Sequence, residues 1–260
     1  SSDNKTQNEN LPNVICIMNE SLSDLQTLGD FTVNEDYMPF MRSLTENTIK
    51  GNLYVPVIGA GTSNTEFEFI TGHTTAFLSA GSNAYMLYVK NHIASLVSTL
   101  KSQGYSAFAL HPYFAMGWNR TNVYNNLGFE RFFSIESILN SEMMNLYRNN
   151  SGNSEYLQSM AEQYYPGENL LIRQYISDSY DYKTLIKDYE NRDTSKPYFA
   201  FNVTMQNHGG YTTSCSNFNE DIYVTSSQNV YPKTNKYLSL VKYSDQAFEE
   251  LINYFRQVKE

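Results

Sequence analysis

Short continuous apolar runs alternate along this chain with longer segments in which apolar residues recur at helical spacing. The runs are typical of strands buried on both faces of a parallel sheet, and they lie at Asn13–Met18, Tyr105–Leu110 and Pro197–Val203. The helical spacing is clearest at His92–Gln103, Asp178–Asn191 and Asn235–Lys259. Strands and helices in this order predict an α/β fold with a doubly wound, mainly parallel sheet flanked by helices.

Three weaker patterns predict further elements. Asp36–Thr48 has approximate helical spacing, and Leu53–Ile58 is a strand candidate interrupted by Pro56. Ser134–Leu171 is rich in polar residues and has weak periodicity, which indicates a partly helical excursion over the sheet.

The composition narrows the possible partners. The chain has 260 residues and a formal net charge of −9, which argues against a nucleic-acid partner because such binding needs a basic surface. No stretch reaches the ~18 apolar residues of a membrane span. We interpret residues 1–10 as a polar linker and residues 11–260 as one domain. A disulfide between Cys16 and Cys215 is possible, but their spacing does not support it.

A glycine-spaced loop leads into a hydroxyl-rich turn at residues 59–67. The pattern predicts an amphipathic helix that begins at these hydroxyls and ends at Gly72. A helix start favours an anion, and Thr62 there is a candidate nucleophile towards phosphorus. The alternative is purely structural, because Ser63-x-x-Glu66 fits a capping box.

Polar side chains follow each of the predicted strands. Glu20, Thr62, His111 and His208 all lie just past inferred strand ends, where doubly wound sheets gather their sites. Each alone has an ordinary reading as a loop acid, a helix cap or a packed loop histidine. Their common position instead predicts one site in which a carboxylate and a hydroxyl share a divalent ion.

Two residues seven and nine positions after His111 add candidate binding groups. Arg120 can clamp a phosphate with two parallel hydrogen bonds. Trp118 can stack on a glycerol or sugar face, or simply fill the core.

Four motifs resemble one known family. They are the Asn13–Ser21 run, the Gly61–Phe67 loop, Gly117-Trp118-Asn119-Arg120 and Gln206-Asn207-His208-Gly209. Together, and in this order, they resemble the lipoteichoic acid synthase and phosphoglycerol transferase group. That group is the sulfatase-like branch of the alkaline phosphatase superfamily.

The resemblance implies a role for each matching position. Glu20 and Thr62 would bind Mn²⁺ or Mg²⁺, and Thr62 would also be the nucleophile. Trp118, Arg120 and His208 would hold a glycerol-phosphate head group, and His111 would line the pocket.

The resemblance also implies a reaction and a location. Glycerol phosphate would pass from phosphatidylglycerol to Thr62 and then to a polymer or glycolipid acceptor. The enzyme would act on the extracellular face of a bacterial membrane, held there by a transmembrane region before residue 1.

Two departures from the family pattern matter. Gly61 stands where relatives usually carry Lys or another residue. The family's Asp-His metal pair is also missing, since Asp245 is not followed by His and no other Asp-His dipeptide occurs. We therefore expect this domain to lack its C-terminal part, to bind metal poorly and to be inactive as it stands.

Other functions of the same fold remain open at this point. They are a phosphoethanolamine transferase, a phosphodiesterase, a sulfatase or a non-catalytic domain that binds envelope glycans. A sulfatase is disfavoured because neither Cys16 nor Cys215 lies in the sequence context for formylglycine formation.

Overall fold

The computed structural model describes residues 11–212 and 215–258. The strands are β1 (Val14–Met18), β2 (Ser106–His111), β3 (Arg131–Ser134), β4 (Leu171–Ile172), β5 (Tyr175–Ile176) and β6 (Tyr198–Val203). The helices are α1 (Pro39–Ser43), α2 (Thr62–Thr71), α3 (Ala84–Leu87), α4 (Leu96–Ser102), α5 (Arg120–Leu127), α6 (Ile135–Ile138), α7 (Ser141–Asn150), α8 (Ser154–Tyr164), α9 (Asp178–Glu190) and α10 (Pro232–Gln257). Short 3-10 helices lie at Leu25–Thr27 and Gly117–Asn119.

The central sheet is parallel and has the strand order β1-β6-β2-β3. Ile15 pairs with Ala200, and Ala200 pairs in turn with Phe108, so the three predicted strands are neighbours. All of their carboxyl ends therefore lie at one edge of the sheet. Strands β4 and β5 form a separate antiparallel hairpin.

Both faces of this sheet are covered by helices. Ala107 and Ala109 on β2 belong to a core shared with α2, α4 and α5. Phe108 and Leu110, which alternate with them, belong to a second core shared with α9 and α10. This alternation explains the continuous apolar runs and confirms the prediction of a doubly wound, mainly parallel fold.

The weaker patterns were only partly right. The prediction of a strand at Leu53–Ile58 is wrong: these residues form a loop with largely exposed side chains, and Pro56 offers no N–H to a neighbouring strand. Helix is confined to Pro39–Ser43 within the predicted 36–48 segment, because Leu44 takes an extended backbone. Strand β3 was not predicted, since a run of four residues gives little periodic signal.

The excursion between β3 and β4 is confirmed as partly helical. Helices α6, α7 and α8 share a small core of their own, which includes Met143, Tyr147 and Leu157. None of the helices in the described part of the chain is both long and apolar enough to cross a membrane. The predicted linker at residues 1–10 lies outside the described residues. Cys16 and Cys215 form no disulfide with each other.

Candidate active site

The loop before α2 is shaped by three successive residues with left-handed backbone. Gly59, Ala60 and Gly61 have φ of 65°, 56° and 73°. A Cβ on Gly61 would lie 3.1 Å from Val57 Cγ1, so a side chain there meets both backbone strain and close contact. The loop delivers Thr62 as the first helical residue, which confirms the predicted helix start.

The capping-box prediction is wrong. The N-cap of α2 is Gly61, and no side chain caps the helix. Ser63 Oγ instead accepts a hydrogen bond from Asn83 Nδ2 at 2.6 Å, and Glu66 is engaged in an ion pair described below. The start of α2 therefore keeps the positive end of its dipole beside Thr62 without a side-chain cap. Gly72 forms the C-cap, as predicted.

Glu20 and Thr62 are in direct contact. Glu20 follows the end of β1 and is buried, and the Thr62 hydroxyl donates to Glu20 Oε1 at 3.2 Å. Burial raises the pKa of Glu20 to about 7, although the nearby Arg120 charge opposes the rise. The Thr62 hydroxyl is thus held by a carboxyl group that changes protonation near neutral pH.

A buried polar network fixes the backbone around Glu20. The Glu20 N–H donates to Thr204 Oγ1 at 3.1 Å, and that hydroxyl donates to Asn19 Oδ1 at 3.2 Å. Asn207 Nδ2 contacts the same Asn19 oxygen at 3.4 Å and Ser244 Oγ at 2.8 Å. The segments after β1 and β6 are therefore joined to α10 through side-chain hydrogen bonds.

Arg120 is buried and paired with Glu66. Arg120 NH2 and Nε donate to the two Glu66 carboxylate oxygens at 2.5 and 3.3 Å, and the Tyr124 hydroxyl donates to Glu66 at 2.7 Å. A third contact runs from Arg120 NH1 to the Gly117 carbonyl at 3.4 Å. Arginine has five N–H groups, so this bonding leaves part of the guanidinium for another acceptor. Its charge also reaches Glu20, where it opposes the rise in pKa.

His111 lies beneath the site as the last residue of β2 and is 1% exposed. Its Nδ1 is 2.8 Å from the Val203 carbonyl oxygen, which only accepts, so Nδ1 carries the hydrogen. Burial, and next the charge of Arg120, lower the pKa of His111 well below its ordinary value. The imidazole is therefore neutral, and most of it faces protein.

Trp118 lies on the rim of the candidate site. Trp118 and Asn119 have positive φ, at 53° and 58°, which is rare for a bulky residue such as tryptophan and often marks functional sites. The Trp118 side chain is 43% exposed and lines an open cavity of about 770 Å³. The loop of Gly59, Ala60 and Gly61 lines the same cavity, which places Trp118 beside the start of α2.

His208 approaches Glu20 from the segment after β6. Its Nε2 is 3.8 Å from Glu20 Oε1, and its Nδ1 is 3.2 Å from the Tyr175 hydroxyl. Burial, and next the charge of Arg173, lower the pKa of His208. His208 is about half exposed, so its ring has one edge in the site and the other in protein.

The structure thus brings Glu20, Thr62 and His208 into one contact group. Arg120 acts on this group through its charge, Trp118 stands on the rim, and His111 lies below. Sequence reasoning did not identify the partners that support them, namely Glu66, Arg173, Tyr175 and Thr204. Glu66 was inside a quoted motif, but its spacing suggested a helix cap.

The site offers oxygen ligands of the kind that Mg²⁺ and Mn²⁺ prefer. Glu20 Oε1 and Thr62 Oγ1 are 3.2 Å apart, close enough to share one ion. Among residues 11–212 and 215–258, no group of three or more His, Cys, Asp or Glu side chains is placed to hold a metal. The two oxygens fit such an ion as part of its ligand set.

Comparison with known proteins gives one family match over nearly the whole chain. The family model described as Sulfatase matches residues 12–260. The chain is 32% identical over 206 residues to a putative cyclic beta-1,2-glucan modification protein of Rhizobium meliloti (strain 1021), covering 79% of this chain and 27% of the relative. It is 25% identical over 239 residues to a lipoteichoic acid synthase of Staphylococcus saprophyticus, covering 88% and 32%.

Two solved structures share the fold. Streptococcus pyogenes phosphoglycerol transferase GacH, in complex with sn-glycerol-1-phosphate, matches with a TM-score of 0.70 and 23% identity over 96% of this chain and 58% of that chain. The lipoteichoic acid synthase LtaP of Listeria monocytogenes matches with a TM-score of 0.66 and 17% identity over 94% and 52%. The chain therefore spans little more than half of these structures and a third or less of the curated relatives.

Proposed function

Because the chain belongs to the sulfatase family, we propose that its site transfers glycerol phosphate through a covalent intermediate on Thr62. Family membership confirms the resemblance to the sulfatase-like branch noted from the sequence motifs. One observation carries the proposal: the Thr62 hydroxyl stands at an uncapped helix start and donates to the buried Glu20 carboxyl group.

The reaction has two displacement steps. In the first, Thr62 Oγ1 attacks phosphorus while its proton passes to Glu20, and the bond from phosphorus to the diacylglycerol oxygen breaks. The departing diacylglycerol oxygen takes up this proton from Glu20. In the second step, an acceptor hydroxyl attacks the same phosphorus and gives its proton to Glu20, the bond from phosphorus to Thr62 Oγ1 breaks, and Thr62 Oγ1 takes the proton back from Glu20. Glu20 and Thr62 would hold a Mn²⁺ or Mg²⁺ ion, which would supply positive charge that lowers the pKa of the hydroxyl.

Three groups of this chain stabilise the charge on the transferring phosphate. The positive end of the α2 dipole lies at Thr62, where the phosphate would be bound. The Arg120 N–H groups that are not bonded to Glu66 or Gly117 donate to phosphate oxygens. His208 donates from Nε2, the nitrogen that faces Glu20. His111 packs below them and keeps water out of the site.

Trp118 on the rim of the site and the names of the relatives support a proposal for the head group and the acceptor. Trp118 stacks on the glycerol moiety of a phosphatidylglycerol-type lipid, beside the cavity that it shares with the Gly59–Gly61 loop. The acceptor is a glycerol-phosphate polymer or a glycolipid, as the names of the synthase relatives suggest. The Rhizobium relative makes a β-glucan the second candidate acceptor. We place the reaction on the extracellular face of a bacterial membrane, with an N-terminal anchor.

The test uses the full-length protein, divalent metal and phosphatidylglycerol labelled in its terminal glycerol. Mass spectrometry should find labelled glycerol phosphate on Thr62, and Thr62→Ala should abolish both labelling and transfer. Thr65→Ala, one turn along the same helix, is the matched control and should stay labelled. Label retained in Thr62→Ala would refute the nucleophile assignment. Labelling only from phosphatidylethanolamine would refute the head group and favour a phosphoethanolamine transferase.

A further inference from the structure

The β4–β5 hairpin places two buried side chains against His208, and no catalytic role has so far been given to them. We propose that Tyr175 is a positioning residue that holds the His208 imidazole in the tautomer whose Nε2–H faces Glu20 and Thr62. Arg173 fixes the two segments that carry these rings. The effect of this His208 tautomer on phosphate binding rests on the proposed function. The tautomer itself, and its selection by Tyr175, do not.

The Tyr175 hydroxyl meets His208 edge-on. Its oxygen is 3.2 Å from His208 Nδ1, and the two rings stand at 61° with centroids 5.5 Å apart. On the opposite side of the imidazole, Nε2 lies 3.8 Å from Glu20 Oε1. Tyr175 is 5% exposed, so little of this residue is open to water. Nδ1 of His208 therefore faces the Tyr175 hydroxyl and Nε2 faces the Glu20 carboxyl group, and a backbone hydrogen bond with Gly209 also acts on the ring.

The chemistry of these two oxygens selects the tautomer. A neutral imidazole has one N–H and one lone pair, so one nitrogen donates and the other accepts. The ionised form of Glu20 only accepts, and so do the oxygens of a phosphate held at Thr62. Nε2 must then carry the hydrogen, which leaves the Nδ1 lone pair to accept from the Tyr175 hydroxyl. The hydrogen bond from the Tyr175 hydroxyl thus orients the His208 ring and also keeps its hydrogen on Nε2.

Arg173 ties the hairpin to the segment that carries His208. Its Nη2 donates to the carbonyl oxygens of Gln206 and His208 at 2.6 and 2.7 Å. The guanidinium carbon lies 5.1 Å from the centre of the Tyr175 ring. One buried cation therefore holds the backbone of His208 and the ring of Tyr175 together.

The backbone of Arg173 supports a role beyond filling space. Arg173 has a φ of 54° in the two-residue turn between β4 and β5, a position where hairpins usually carry glycine. Asn217 stabilises this turn, because its Oδ1 accepts from Arg173 N at 2.9 Å and its Nδ2 donates to Arg173 O at 2.8 Å. Arg173 Nε is buried without a hydrogen-bond partner in the described part of the chain. An arginine under these constraints indicates that its guanidinium is needed here.

The experiment reads the His208 tautomer by two-bond ¹H–¹⁵N NMR on the ¹⁵N-labelled chain. The sample is kept at a pH of about 8, above the ordinary histidine pKa of about 6.5. His208→Gln identifies the signals by their loss. In the wild-type protein, Nε2 should be protonated and Nδ1 should show the shift of a hydrogen-bonded lone pair. Tyr175→Phe should convert this pattern to a mixture of tautomers. Tyr113→Phe is the matched control, since Tyr113 packs on Tyr175 with ring centroids 6.1 Å apart, and it should leave the pattern unchanged.

A second readout measures binding of sn-glycerol phosphate to the full-length protein. Tyr175→Phe should weaken it by roughly 3- to 10-fold, the effect expected when a donor to a charged group is no longer held in place. A protonated Nδ1 in the wild-type protein overturns the proposal even when Tyr175→Phe does not fold. An unchanged tautomer in folded Tyr175→Phe also overturns it. If the wild-type protein has the Nε2–H tautomer but binds no glycerol phosphate, the proposed function fails while the positioning role stands.

Discussion

Replacing Glu66 by Gln removes one charge of a buried ion pair and leaves Arg120 without its counter-charge. The Glu66 side chain is fully buried and that of Arg120 is 2% exposed. Three hydrogen bonds end on the Glu66 carboxylate, two from Arg120 and one from Tyr124. Burial makes each of them costly to break, because no water replaces the lost partner.

The expected loss is large compared with the stability of the fold. Removing one partner of a buried ion pair costs about 3–5 kcal/mol. Folded domains are stable by about 5–15 kcal/mol, so Glu66→Gln should remove about a fifth or more of the free energy of unfolding. In urea, with an m-value of about 3 kcal/mol per molar, the unfolding midpoint should fall by 1 M or more.

The control is an ion pair of the same charges on the surface. Lys183 pairs with Glu168 and its side chain is 60% exposed, so Lys183→Gln should cost about 1 kcal/mol or less. Adding Arg120→Met to Glu66→Gln should restore part of the loss, because the uncompensated cation is removed. If Glu66→Gln is no more harmful than Lys183→Gln, the pair does not hold Arg120. The guanidinium would then have to be placed by substrate phosphate.

Three further predictions concern the loop, the support of Glu20 and a buried acid. Gly61→Ala should cost about 1–3 kcal/mol in urea unfolding because φ is 73° and Val57 is close, whereas Gly51→Ala, in open space, should change stability by less than about 0.5 kcal/mol. Thr204→Val leaves the Glu20 N–H without its acceptor, which should cost about 1–3 kcal/mol and speed exchange of that amide, measured by NMR. Burial raises the pKa of Asp178 from 3.8 to about 6, so this group stabilises the fold most below about pH 4 and loses about 3 kcal/mol of that contribution as pH rises through 6. Asp178→Asn should flatten this part of the stability profile in urea titrations between pH 4 and 7, and an unchanged slope would contradict the assignment.

The strands of the sheet were predictable because burial on both faces leaves a mark in the sequence. Strands β1, β2 and β6 each read as an unbroken apolar run, and parallel pairing puts their ends at one edge. This geometry is why Glu20 and His208, 188 positions apart, meet within 3.8 Å. The strand prediction at residues 53–58 was wrong because hydrophobicity alone does not show whether a segment pairs with a neighbouring strand.

The supporting contacts were not predictable, because they depend on packing between segments with no shared periodicity. Glu66 and Arg120 are 54 positions apart, and Tyr175 and His208 are 33 apart. The spacing of Glu66 fits a helix cap equally well. Nothing in the sequence distinguishes Tyr175 from the many other tyrosines of this chain. The motifs located the residues of the proposed site, whereas the residues that support them became apparent only in the folded structure.

Two buried hydrogen-bonded networks support the proposed site. One is the Asn19, Thr204 and Asn207 network, which ends at Ser244, whose hydroxyl donates to Asp178 at 2.5 Å. In the other, Glu66 anchors Arg120 from within the helix that Thr62 begins. Thr62 begins α2 and the Arg120 guanidinium is paired with Glu66 of the same helix, while Glu20 is fixed to the sheet edge. In the proposed reaction Thr62 attacks in line on a phosphate bound by Arg120, so holding both groups at α2 would keep their geometry constant. Motion of Glu20 relative to α2 would then change the strength of the Thr62–Glu20 hydrogen bond and not the alignment of Thr62 with the phosphate.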